Sequence, residues 1–144
     1  MEKLYMKNER LIEEWLSYAA SDFALANKGK FSKEVRYDSL CYHAQQAAEK
    51  AIKAVLIFYR KPFPKTHNIG HLLKLLKEKG IVVPKIVEKS QLLTEYAVDS
   101  CYPDDFFESE KVNKKEYEQA VKIADKVLKW AKLVIRQKPF NKLF

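Results

Sequence analysis

Glycine is scarce in this chain, with three residues in 144, and there are only five prolines. An all-β fold needs many tight turns built from such residues, so the shortage of turn material points to a helical class. The three glycines, Gly29, Gly70 and Gly80, are isolated from one another, which excludes a phosphate-cradling glycine loop and with it a Walker-type nucleotide hydrolase. Cysteine is equally sparse. Cys41 and Cys101 fit no C-x-x-C pattern and no zinc spacing, and Cys41 falls on an apolar helix face. A reduced, buried thiol in a cytoplasmic protein is the expectation. No apolar run is long enough to cross a bilayer, Ala54 to Tyr59 being the longest near-continuous one, so no membrane partner is expected. The first residues, Met1 to Lys7, lack the apolar core and cleavage site of a signal peptide. There is no run of consecutive basic residues. The net charge is nevertheless +8, from 27 Lys and Arg against 19 Asp and Glu, which biases encounters toward polyanions. Much of that excess is also what a lysine-rich, soluble helical surface carries.

What the chain does have is helical periodicity. Residues 1–144 read as one domain, with a core over about 8–136 and a short tail at 137–144. Asn8 is placed to cap a first helix running to about Asn27, with Leu11, Ile12, Trp15, Leu16, Ala19, Phe23 and Ala26 as its core stripe. Gly29 fits its C-terminal stop, and Ser32 the cap of a central helix that runs to about Arg60, where Pro62 and Pro64 end it. His67 or Asn68 begins a third helix closed by Gly80, and Pro84 suits the first turn of a fourth that fades near Ser100. Cys101 to Phe107 reads as a structured loop. Asn113 with Glu116 three positions on is a capping box for a last helix whose stripe is Tyr117, Ala120, Val121, Ala124, Val127, Leu128, Ala131 and Ile135. The expected fold is an all-α, up-and-down bundle of about five helices, three long and two shorter.

The central helix organises the rest. From Tyr42 to Leu56 it has five alanines and neither Gly nor Pro. On a helical wheel, Tyr37, Leu40, Cys41, Ala44, Ala47, Ala48, Ala51, Ile52, Val55 and their neighbours fill one half, and polar residues fill the other. Arg36, Ser39, His43, Gln46, Lys50 and Lys53 follow steps of three and four, forming one polar seam. A seven-residue step covers roughly 10.5 Å and returns nearly to the same angle, so Arg36 and His43 could address one phosphodiester together. The imidazole would take the proton of a ribose 2′-OH while the guanidinium holds the phosphate, as in a metal-independent ribonuclease. The plainer reading of the same seam is a solvated or dimer-facing stripe. His67 and His71 have the i, i+4 spacing of metal ligands, but no third ligand is evident and His67 reads better as a hydrogen-bonding residue at a helix start. Asp104 and Asp105 read as capping or turn residues rather than a Mg²⁺ site. No metal and no cofactor are expected.

Three segments carry a family resemblance. Tyr42-His43-Ala44-Gln45-Gln46-Ala47-Ala48-Glu49-Lys50-Ala51-Ile52-Lys53-Ala54 resembles the helix signature of the HEPN domain (higher eukaryotes and prokaryotes nucleotide-binding). Thr66-His67-Asn68-Ile69 with Leu72-Leu73 is similar to its Thr-His-Asp-Leu segment, and Tyr102-Pro103-Asp104 to its Arg-Tyr-Pro-Asp segment. The matches come in family order and span roughly Trp15 to Val134. The resemblance implies an all-α bundle, usually a homodimer, working on nucleotides or RNA. Small prokaryotic members of that family often stand beside a minimal nucleotidyltransferase, as partner or as the toxin of a toxin–antitoxin pair. Some branches are regarded as ribonucleases with an Arg, four to six residues, then His, a spacing that Arg36 and His43 meet. Cys101 stands where the family commonly has Arg, so that cation is missing and binding is favoured over catalysis. The resemblance thus places ligand contacts at His43, Gln46, Lys50, Lys53, Tyr102 and Asp104.

Overall fold

The computed structural model describes the backbone of residues 2–97 and 112–136, with side chains from residue 8 onward. Cys101, Tyr102, Asp104, Asp105 and the tail at 137–144 lie outside the described residues. Among the described residues five helices follow one another: α1 (Glu2–Lys28), α2 (Tyr37–Phe58), α3 (Ile69–Glu78), the single turn α4 (Lys85–Glu88), and α5 (Lys114–Arg136). A 3₁₀ turn at Gly29–Phe31 follows α1, and a 3₁₀ segment at Lys89–Ala97 prolongs α4. There is no strand among the described residues. Three long helices and two short ones are what the periodicity predicts.

Several boundaries differ from the predicted ones, each for a local reason. The helix does not start at Asn8, because Glu2 to Lys7 are nearly all good helix formers and the asparagine is carried inside at a small cost. Gly29 and Ser32 close a turn instead of capping helices: the Ser32 amide donates to the Gly29 carbonyl at 3.0 Å. The central helix therefore begins at Tyr37, after Arg36 in extended conformation. The oxygen that satisfies its first turn comes from Asp38, which accepts the Ser39 amide at 2.8 Å. The predicted fourth helix is α-helical for four residues only, then tightens to 3₁₀. Within this stretch Leu92 is exposed, whereas Val87 and Leu93 are buried.

Other signals read correctly. Asn68 caps α3 by accepting the His71 amide at 3.0 Å, and Asn113 caps α5 by accepting the Glu116 amide at 2.8 Å. Helices α2 and α3 end in the same motif. After α2 the Lys61 amide reaches the Leu56 carbonyl and the Arg60 amide the Ile57 carbonyl; after α3 the Ile81 amide reaches Leu76 and the Gly80 amide Lys77. These are Schellman closures, which require a left-handed residue. Gly80 takes it at φ 85° and Arg60 at φ 56°.

Helix α2 lies at the centre, packed against α1, α5, α3 and the 3₁₀ segment. From Leu40 to Leu56 every residue is buried except Tyr42, His43 and Lys50, which are half-buried. The expectation of a wet polar half is thus overturned for Gln45, Gln46, Glu49 and Lys53, all within the protein. The cause is geometric. A helix packed against four other elements keeps only a narrow open strip, so most of its polar side chains must find partners indoors. Among the described residues no buried side-chain polar atom lacks one.

Candidate functional site

The interface of α1 and α2 assembles the polar side chains. The two helices run antiparallel: Asp22 of α1 meets His43 and Lys50, while Trp15, two turns earlier, meets Lys53. Asp22 is the pivot. One carboxylate oxygen accepts from His43 Nδ1 at 3.0 Å and the other from Lys50 Nζ at 2.6 Å. An ionised carboxylate can only accept, so the Nδ1–H tautomer is the one that fits, and in the neutral ring Nε2 keeps its lone pair. His43 retains 32% of its side-chain exposure, enough for contact with a ligand.

A second cluster sits deeper. Glu49, with 3% of its side chain exposed, accepts from Lys53 Nζ at 2.9 Å, His67 Nδ1 at 2.9 Å and Gln45 Nε2 at 3.0 Å. Gln45 also donates to the His67 carbonyl at 3.2 Å and accepts from Gln46 Nε2 at 2.7 Å. The Lys53 ammonium lies 5.5 Å from the Trp15 ring centre and 5.7 Å from that of Phe63, so two aromatic faces add to its stabilisation. This network fastens the segment before α3 to the middle of α2. His67 is therefore a hydrogen-bonding residue, as predicted, and His71 is exposed at the start of α3. No group of three or more potential metal ligands occurs among the described residues.

The predicted seam accordingly divides. Gln46 and Lys53 point into the buried network, while His43 and Lys50 reach the surface through Asp22. Beside them Leu11, Glu14, Trp15, Tyr18 and Lys50 line an open cleft of about 400 Å³, a size suited to a small ligand. Lys50 Nζ stands 5.7 Å from the ring centre of Tyr18, and Tyr18 is 63% exposed. Arg36 is placed differently. It precedes α2, its side chain is 64% exposed, and its guanidinium is gripped by both oxygens of Asp38 at 3.1–3.2 Å, which raises its pKa further. The helical step that would align it with His43 thus starts from a residue outside the helix.

Asp22, Glu14 and Tyr18 are the residues that sequence reasoning missed. Asp22 had a signal: it follows Trp15 by seven positions and Ala19 by three, so a carboxylate stands within an apolar stripe. Glu14 and Tyr18 had none, because their role depends on where α2 lies.

Comparison with known proteins bears on this fold. The HEPN domain family profile matches residues 12–134. ST0689, described as an archaeal HEPN homologue, is 26% identical with a TM-score of 0.65, covering 86% of this chain and 97% of its own. TT1696 from Thermus thermophilus is 28% identical with a TM-score of 0.72, covering 85% of this chain and 97% of its own. No curated protein matches the chain. A profile spanning all five helices, together with neighbours of the same architecture, establishes that this chain belongs to the HEPN domain family.

Proposed function

We propose that this protein binds a nucleotide or RNA in the α1–α2 cleft, with the base against Tyr18 and Trp15 and the phosphate toward Lys50 and His43. The observation that carries this reading is the Asp22 pivot, which holds an imidazole and an ammonium side by side next to an exposed aromatic ring. Aromatic faces stack with any base and cations attract its phosphate. Base stacking contributes roughly 1–3 kcal/mol, so Tyr18→Ala is expected to weaken binding of ATP or a short RNA at least several-fold. Lys50→Gln should weaken it and reduce its salt dependence. Titration of labelled ATP and single-stranded RNA at low salt checks this, and no binding by the unaltered protein would remove the reading. The family further supports a homodimer and a minimal nucleotidyltransferase as partner. Leu11 and Tyr18, which line the cleft, and Leu25 are exposed seven residues apart along α1, so self-association along this stripe would set the cleft at the subunit boundary.

A second reading, a metal-independent ribonuclease using His43 and Arg36, draws support from the Asp22–His43 hydrogen bond, which orients the ring with Nε2 available as a base. Incubation with structured and single-stranded RNA without metal separates the two. Cleavage lost in both His43→Ala and Arg36→Ala supports the enzyme, and no cleavage by the unaltered protein sinks it.

A further inference from the structure

Helix α5 carries a second feature that the cleft does not use. Its buried face is Tyr117, Ala120, Ala124, Val127, Leu128 and Ala131. On the opposite face Lys115, Lys122, Lys126 and Lys129 are all exposed. At 100° per residue these four fall within about 60° of arc, and they extend over about 21 Å of helix axis. Arg136 lengthens the row by about another 10 Å. Only Lys129 is engaged, by Asp125 at 2.9 Å; Lys115, Lys122 and Lys126 pair with no described carboxylate. The flanking Glu118 already faces Lys114 at 3.8 Å.

We infer that this row is a docking surface for a nucleic-acid backbone, bound without regard to sequence. A straight row of exposed lysines at intervals of about 5–10 Å, with Glu118 at its edge facing Lys114 and Asp125 facing Lys129, suits a regularly charged chain of phosphates. The row presents no aromatic ring and, apart from Gln119, no amide, so nothing on it reads bases. A membrane surface fits poorly. Insertion of a helix into a bilayer needs a free apolar face, and the apolar face of α5 is committed to the core, leaving Leu133 as the sole large apolar side chain exposed on this helix. The row shares no residue with the α1–α2 cleft, so it stands whether or not that cleft binds a base.

The test is a salt titration with a fluorescein-labelled, 20-nucleotide single-stranded RNA of mixed sequence and the matching RNA duplex. Each phosphate contact removed lowers the slope of log K against log salt by about 0.7 for a single strand and 0.9 for a helix. Lys115→Gln/Lys122→Gln/Lys126→Gln is expected to lower the slope by about two to three. Lys74→Gln/Lys85→Gln/Lys89→Gln, with the same change of charge on exposed sites of α3, α4 and the 3₁₀ segment, is expected to lower it by less than one. The inference is overturned if the unaltered protein binds neither probe, if the α5 variant keeps its slope, or if both triple variants lose it equally. Tighter binding of poly-glutamate than of either RNA at equal charge concentration would also overturn it, by assigning the row to an acidic protein.

Discussion

Glu49 accepts three hydrogen bonds while almost wholly withdrawn from water, and Lys53 shares its burial. Removing one member of such a pair strands the other. Glu49→Ala is therefore expected to destabilise the fold by about 3–5 kcal/mol, read by urea denaturation, whereas Glu49→Met/Lys53→Met should recover most of the loss. Cys41 offers a separate handle. Burial, reinforced by the charges of Glu116 and Asp38, pushes its thiol up to about 12 from the usual 9.0. The folded protein keeps that proton where the unfolded chain has lost it, so stability is complete below pH 9 and falls as pH climbs toward 12. The loss approaches about 1.4 kcal/mol per unit. Tyr96, also raised to about 12, adds its share only above its ordinary 10.0, so the interval from pH 9 to 10 isolates the cysteine. Thermal unfolding across that interval should flatten in Cys41→Ala. If the slope is the same in both proteins, the thiol is not the source.

At the scale of elements, the closures of α2 and α3 make a matched pair. Both use the same two hydrogen bonds, yet one left-handed position holds Gly80 and the other Arg60. An L side chain in that conformation costs about 1 kcal/mol. Arg60→Gly is expected to stabilise the protein by up to about 1 kcal/mol, less the entropy that glycine adds to the unfolded chain, and Gly80→Ala to destabilise it by a similar amount. Paired chemical denaturation measurements would show opposite shifts in midpoint. The same comparison explains what was legible in the sequence. Gly80, Asn68 and Asn113 announce their roles because chemistry peculiar to those residue types does the work. Arg60 does not, because its left-handed conformation comes with the closure itself and nothing in an arginine side chain calls for it. The start of α2 is illegible for a related reason: Ser32 is spent in the turn after Gly29, and the position that does cap the helix, Arg36, makes no side-chain cap that its residue type would announce. Gly29 lies so close to Leu40 that an added Cβ would come within 2.2 Å of its Cδ2. That approach exists only after folding.

Across the whole molecule, the bundle is tied by contacts between distant parts of the chain. Tyr117 of α5 donates its hydroxyl to the Ala26 carbonyl of α1 at 2.6 Å and stacks on Tyr37 of α2, with ring centres 5.1 Å apart. Tyr117→Phe keeps the stack and loses the bond, so a loss of about 1 kcal/mol is expected, measurable as a lowered Tm. The bundle was legible because amphipathic stripes specify which faces pack. The site was legible only in part. His43 and Lys50 are where a polar seam should show itself, but the burial of Gln46 and Lys53 depends on how many neighbours α2 has, which no single helix records. That enclosure has a consequence in time as well as in space. The amides of α2 between Ala44 and Leu56 reach solvent only when the elements packed around it depart, and departure of α1 takes Asp22 from His43 and Lys50 and Trp15 from Lys53. Opening there is thus costly, and hydrogen exchange along this stretch is expected to report protection free energies close to that of global unfolding.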